Sequence, residues 1–267
     1  EQYEKKASNM KMLTAIEKKS ETYQALTKDD LVFLYEIDTP IEGFGYQRDP
    51  RIAELLAQRN TKEDAPIVLD CTSSQIATNQ NEITDQTKAY VGPLFPGIFK
   101  KNIENLYTSF PEGKIKTFET KIGGKTKDQL EAELKQKNIT VGTYAKQLLE
   151  SPDFTTSKNI ENIDLVRLTV GDLGFANGAT TDEIYKRAED FGLELCPPEV
   201  GPQVSLSYSG GEYLRIAMKQ ISDRDGDPRV FRLRRLGDGL WLDAGSARPA
   251  LRWDADYEFV FRTRKEA

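Results

Sequence analysis

Two Asp-Gly dipeptides, Asp225-Gly226 and Asp238-Gly239, punctuate the last quarter of the chain, and apolar residues recur at every second position around them. Beyond Pro197-Pro198 the whole pattern reads as strand, at 204–208, 213–218, 230–233, 240–242 and 257–261. Tight turns between alternating strands favour antiparallel hairpins, so an antiparallel β-rich unit, a small barrel or sandwich, is expected. One strand at 163–170 leads into it. A helix follows, begun by Thr180-Thr181-Asp182-Glu183 and stopped by Gly192.

The front of the chain has a different period. Met10, Leu13, Ile16, Tyr23 and Leu26 lie at helical spacings in a stretch rich in Glu, Lys and Gln, which predicts a mostly solvated helix. Thr27-Lys28-Asp29-Asp30, Asp49-Pro50 and Thr126-Lys127-Asp128-Gln129 are helix starts. Apolar runs at 66–70, 89–91, 105–108 and 115–122 read as strands, with a short helix from Thr72 towards Ile83. Residues 127–150 form an αα-hairpin, and the polar stretch 155–159 reads as a linker. The expectation is therefore an α+β protein with a helical N-terminal part, a small α/β region and a C-terminal antiparallel β-rich unit. Its domains are expected at 1–154 and 160–267.

Composition removes several chemistries. The 267 residues include no histidine, which excludes His-based triads, His zinc sites and imidazole switches. The two cysteines, Cys71 and Cys196, make neither a disulfide framework nor a C-x-x-C pair, so a reducing, cytoplasmic setting is expected. Cys71 ends an apolar run but has no imidazole to take its proton, so an inert thiol is the simpler reading. No stretch approaches the ~20 apolar residues of a spanning helix, and no membrane is expected. Asp223-Arg224-Asp225-Gly226-Asp227 has the look of a calcium loop, but Pro228 and Arg234 occupy the places of its Gly and Glu. It reads as a polar turn. Gly171-Asp172-Leu173-Gly174 lacks a phosphate-loop order, and Asp172 would oppose a phosphate. Neither metal nor cofactor is expected.

Charge narrows the partner. The net charge of −6 repels a phosphate backbone on average, so nucleic acid is not favoured. The final 64 residues nevertheless carry 12 basic against 10 acidic residues, and 10 of the 12 are arginine. Arg232 and Arg234 alternate with Phe231 and Leu233, and Arg262 and Arg264 repeat the arrangement. With Trp241 and Trp253 they compose a basic, aromatic face for an acidic partner or an unidentified protein. Asp223, Asp225, Asp238, Asp254, Asp256 and Glu258 are placed to neutralise the arginines. A DNA-reading role for Thr143, Tyr144, Lys146 and Gln147 of the αα-hairpin has weaker grounds, because the flanking region is acidic. The leading expectation is a soluble, non-catalytic binding or interaction protein that uses its C-terminal β unit. The alternative is a histidine-independent enzyme acting on a nucleotide or nucleic acid, with Arg167, Asp172 and Glu258 gathered in a cleft.

Three segments also carry a likeness: Ile41-Glu42-Gly43-Phe44-Gly45-Tyr46 and onward to Ile52, Ala89-Tyr90-Val91-Gly92-Pro93-Leu94, and Gly192-Leu193-Glu194-Leu195-Cys196-Pro197. The chain resembles uncharacterised bacterial proteins in these segments. The resemblance implies a bacterial protein of modular build, and no activity or functional residue comes with it.

Overall fold

The computed structural model describes residues 2–208 and 213–263. The chain divides into two compact units, Glu1–Pro93 with Ile103–Lys114, and Leu94–Asn102 with Ile115–Ala267. The first unit begins with α1 (Gln2–Glu21), whose buried residues are Leu13 and Ile16, as its polar composition requires. Helix α2 (Lys28–Leu34) starts on a capping box in which Thr27 and Asp30 each take the other's backbone N–H. Helix α3 (Pro50–Ala57) starts behind Asp49, with proline at its head.

Helix α4 (Thr61–Val68) overturns the strand expected at 66–70. Asn60 caps it, Glu63 and Asp64 occupy its first turn, and Pro66 is carried inside it. An apolar run this short suits either structure, and the upstream cap decides for the helix. Strands β1 (Ile76–Ala77), β2 (Ala89–Val91) and β3 (Asn105–Tyr107) then pair in parallel, with β2 in the middle. Leu13, Ile16, Leu31, Leu34, Ile52 and Tyr107 meet in their common core. Asp64 is buried there, and it accepts from the Tyr35 hydroxyl (2.7 Å) and from Arg59 Nε (2.9 Å). The buried carboxylate is thus paired and hydrogen-bonded, which is the condition for tolerating it.

The second unit is built on one mixed sheet. Its first elements are β4 (Lys116–Ile122), α5 (Lys127–Gln136), β5 (Thr140–Val141), α6 (Thr143–Glu150) and β6 (Glu161–Thr169). Next come β7 (Ala179–Thr180), α7 (Thr181–Asp190), β8 (Leu193–Glu194) and α8 (Val200–Ser207). The last are β9 (Leu214–Ile216), β10 (Ile221–Ser222), β11 (Pro228–Leu236), β12 (Gly239–Ser246), β13 (Arg252–Trp253) and β14 (Glu258–Thr263). The main path runs β4-β6-β14-β9-β11-β12-β5, with β10 on β11 and β8 on β14. Pairs β14–β9 and β12–β5 are parallel and the rest of this sheet is antiparallel. A separate antiparallel pair joins β13 to β7.

The protein is α+β. The expected hairpins are present, β10–β11 and β11–β12 among them, in a sheet that is mixed where an antiparallel one was expected. The Asp225-Gly226 turn forms as read. Gly226 takes φ +84°, and the buried Asp223 carboxylate accepts the N–H groups of Asp225 (3.0 Å) and Asp227 (2.9 Å) and pairs with Arg229.

Three further expectations need correction. The domains expected at 1–154 and 160–267 cut through a single sheet, because β4 and β6, from either side of the polar stretch, pair along seven residues. That stretch is held in place. Ser157 and Gly123 both donate their N–H to the Glu199 carboxylate, at 2.7 and 2.9 Å, and Glu199 is 1% exposed. Residues 204–208, read as strand, belong mostly to α8. Its apolar-polar alternation is a short accident, since residues from Val200 to Ser205 are buried whatever their polarity. Gly201 permits this close packing, because a Cβ there would sit 2.7 Å from the Phe231 ring. Finally, the αα-hairpin is no free helix-turn-helix. The residues between its helices are β5, paired with β12, and Tyr144 lies 3.5 Å from the Arg229 guanidinium. No helix among the described residues is long and apolar enough to cross a membrane.

Candidate functional site

Alternation along β11 buries Phe231 and Leu233 on one face and sets Arg232 and Arg234 on the other. The register places Asp243 of β12 and Arg215 of β9 on either side of Arg232, and Trp241 beside Arg234. Asp243 is buried, and its Oδ2 accepts from Nη2 of both Arg232 (2.8 Å) and Arg234 (3.1 Å). The Arg234 guanidinium also lies 5.3 Å from the centre of the Trp241 ring. Two arginines thus share one carboxylate.

Arg215 is the third cation of this face and the unusual one. It is the single charge in the run Leu214-Arg215-Ile216-Ala217-Met218 and is only 9% exposed. Its guanidinium lies 4.2 Å from the Tyr257 ring centre and 4.9 Å from that of Trp253. Among the described residues it forms no ion pair and no side-chain hydrogen bond. Burial pulls its pKa below the ordinary arginine value, yet a guanidinium keeps its proton at any physiological pH. The two rings return about 0.5–2 kcal/mol each. Desolvating the cation costs several kcal/mol. Asp256 and Glu258 offset part of that cost from a distance, without contacting the guanidinium.

The rings are held where they are by the fold. β13 pairs with β7, and Trp253 Nε1 donates to Thr181 Oγ1 at 2.9 Å. The turn from β13 to β14 is stitched back by Val170 N–H to the Tyr257 carbonyl (2.9 Å) and Gly171 N–H to the Ala255 carbonyl (2.8 Å). Around Arg215 opens a cavity of about 440 Å³ lined by Tyr213, Arg215, Arg232, Asp256, Tyr257 and Glu258. A second hollow of about 480 Å³ sets Lys100 and Lys186 against Glu189 and Glu194, and so carries no bias of charge.

Of the residues the sequence singled out, Arg232, Arg234 and Trp241 share the face just described, and Trp253 backs it as the buried partner of Arg215. Arg262 does not. Phe259 faces with Arg215, so the alternation along β14 turns Arg262 to the opposite side, where Glu161 pairs with it at 3.5 Å. Arg264 lies outside the described residues. In the enzyme set, Arg167 and Glu258 pair directly, but Asp172 is taken up by its own loop. Its carboxylate accepts the Thr169 N–H (2.8 Å) while its N–H donates to Thr169 Oγ1 (2.9 Å). Burial raises the pKa of Cys71 and, more strongly, of Cys196, so both stay thiols.

Sequence reading missed Arg215, Tyr257 and Asp243. A lone arginine in an apolar strand was the available signal for the first. Among the described residues no group of three or more Cys, Asp or Glu is placed to hold a metal ion. Comparison with protein-family models, curated proteins and solved structures gave no match.

Proposed function

We propose that this chain is a non-catalytic binding protein whose C-terminal sheet takes an acidic group at Arg215 and Arg232. The observation that carries the reading is Arg215, a desolvated cation lying against two neighbouring aromatic rings at the wall of an open cavity, with no carboxylate paired to it among the described residues. A purely structural arginine would be matched by a buried carboxylate, as Arg229 is by Asp223. The enzyme alternative draws on Glu258 alone of its acidic pair, since Asp172 is occupied by Thr169. Trp253 against Arg215 supplies the assay. Titration with phosphate, sulfate and heparin should change tryptophan fluorescence saturably, and the affinity should fall as salt rises. Arg232→Gln should weaken this in a protein that still folds, because Arg234 stays paired with Asp243. No saturable, salt-sensitive binding of any anion would overturn the proposal.

A further inference from the structure

The cavity at Arg215 is not uniformly basic. Asp256 and Glu258 line it together with the two arginines and two tyrosines. Asp256 is exposed and forms no ion pair among the described residues. Glu258 reaches the cavity rim, but alternation along β14 turns its side chain with that of Arg262 away from Arg215, where it pairs with Arg167. Carboxylates beside an anion site repel a bare anion, and they accept hydrogen bonds from hydroxyl or amine donors. Arg215 and Arg232 occupy directly opposed positions on β9 and β11, where side chains share a face with Cβ atoms about 5 Å apart. Like charges so placed repel one another. A phosphate between them removes that repulsion and receives the fork of Arg215 together with Nη1 of Arg232, whose Nε and Nη2 donate to Asp243.

Resting on the anion-binding reading above, we propose that the cavity binds a phosphorylated sugar. Its phosphate lies between Arg215 and Arg232, and an adjacent hydroxyl donates to Asp256. A volume of about 440 Å³ suits a ligand of this size. Tyr213, 46% exposed, offers a ring face beside it for a base, so the sugar phosphate is either free or part of a nucleotide.

The test is calorimetric titration of the full chain with inorganic phosphate, ribose phosphate, adenosine monophosphate and adenosine. At least one sugar phosphate should bind about tenfold or more tightly than inorganic phosphate, the worth of one hydrogen bond to a carboxylate. Asp256→Asn lies on an exposed residue and should shrink that ratio to near one without loss of folding. Arg232→Gln should weaken every phosphate-bearing probe, and Arg232→Lys should recover part of the loss. Tighter binding of adenosine monophosphate than of ribose phosphate, levelled by Tyr213→Ala, assigns the nucleotide source; equal binding assigns the free sugar phosphate. Inorganic phosphate matching the sugar phosphates in the parent, or an advantage that survives Asp256→Asn, overturns this inference and leaves the anion site standing. No Arg232-dependent binding of any probe overturns both.

Discussion

Arg215 is where stability and the proposed binding pull apart. An unpaired guanidinium under Trp253 and Tyr257 costs more in lost hydration than two rings return, so the free protein carries a local deficit. Arg215→Met should therefore leave stability unchanged or raise it by up to ~2 kcal/mol while removing anion binding, as urea melts and the fluorescence titration would show. A clear loss of stability would mean that the arginine is structural. Asp223 makes the opposite case. Arg229 beside it holds its carboxyl below the usual carboxylate range, against the opposing effect of burial. A depressed folded pKa gives stability that is present above about pH 4 and is lost as pH falls through the lower folded value. Asp223→Asn should thus be less stable than the parent at neutral pH, and urea melts should show the gap closing in strong acid. A gap that persists there would exclude Asp223 as its source. Both residues show what a sequence yields at this scale. The paired charges of the Asp225-Gly226 turn were legible, because turn chemistry is local. Arg215 was not, because its meaning depends on Trp253 and Tyr257, brought to it by strand pairing.

Elements whose start is marked by a side chain that caps its own backbone were readable in advance. The capping boxes at Thr27, Thr126 and Thr180, and Asp49 before Pro50, all open helices. Elements defined by burial were not. Helix α8 reads as a strand over 204–208, and α4 over 66–70, since a short apolar run does not state its own period. The polar stretch 155–159 looked like a linker for a related reason: its anchor, Glu199, lies some forty residues away in sequence. Glu199→Ala would leave the N–H groups of Gly123 and Ser157 without their acceptor. At roughly 1–3 kcal/mol for each of the two orphaned groups, the loss should be about 2–6 kcal/mol. The same substitution should expose 155–159 to limited proteolysis, while the parent resists cleavage there under the same conditions. Equal cleavage of both proteins would show that Glu199 does not hold the segment.

For the whole molecule, the division into units follows strand pairing and not local composition. The strand expected to close the first domain, β4, is instead the end strand of the second unit's sheet, with β6 as its neighbour. The segment Leu94–Asn102 also belongs to the second unit, although it interrupts the first in sequence. Gly97 N–H reaches the Asp190 carbonyl at 3.0 Å, and Ile98 is fully buried. A fragment of residues 94–267 keeps this segment, the entire sheet and the arginine cavity, at the entropic cost of a loop at 103–114 that grows only slowly with length. A fragment of residues 160–267 loses β4, β5, α5 and α6, and with them the apolar cover supplied by Ile122, Leu130, Leu134, Leu148 and Leu149. The longer fragment should melt cooperatively by circular dichroism and bind anions with the affinity of the full chain. The shorter one should show no cooperative transition, because its remaining strands expose a core face that nothing in the fragment covers. Cooperative melting of residues 160–267 would restore the boundary that the polar stretch suggests. Failure of residues 94–267 to fold would mean that the second unit depends on the first for its stability.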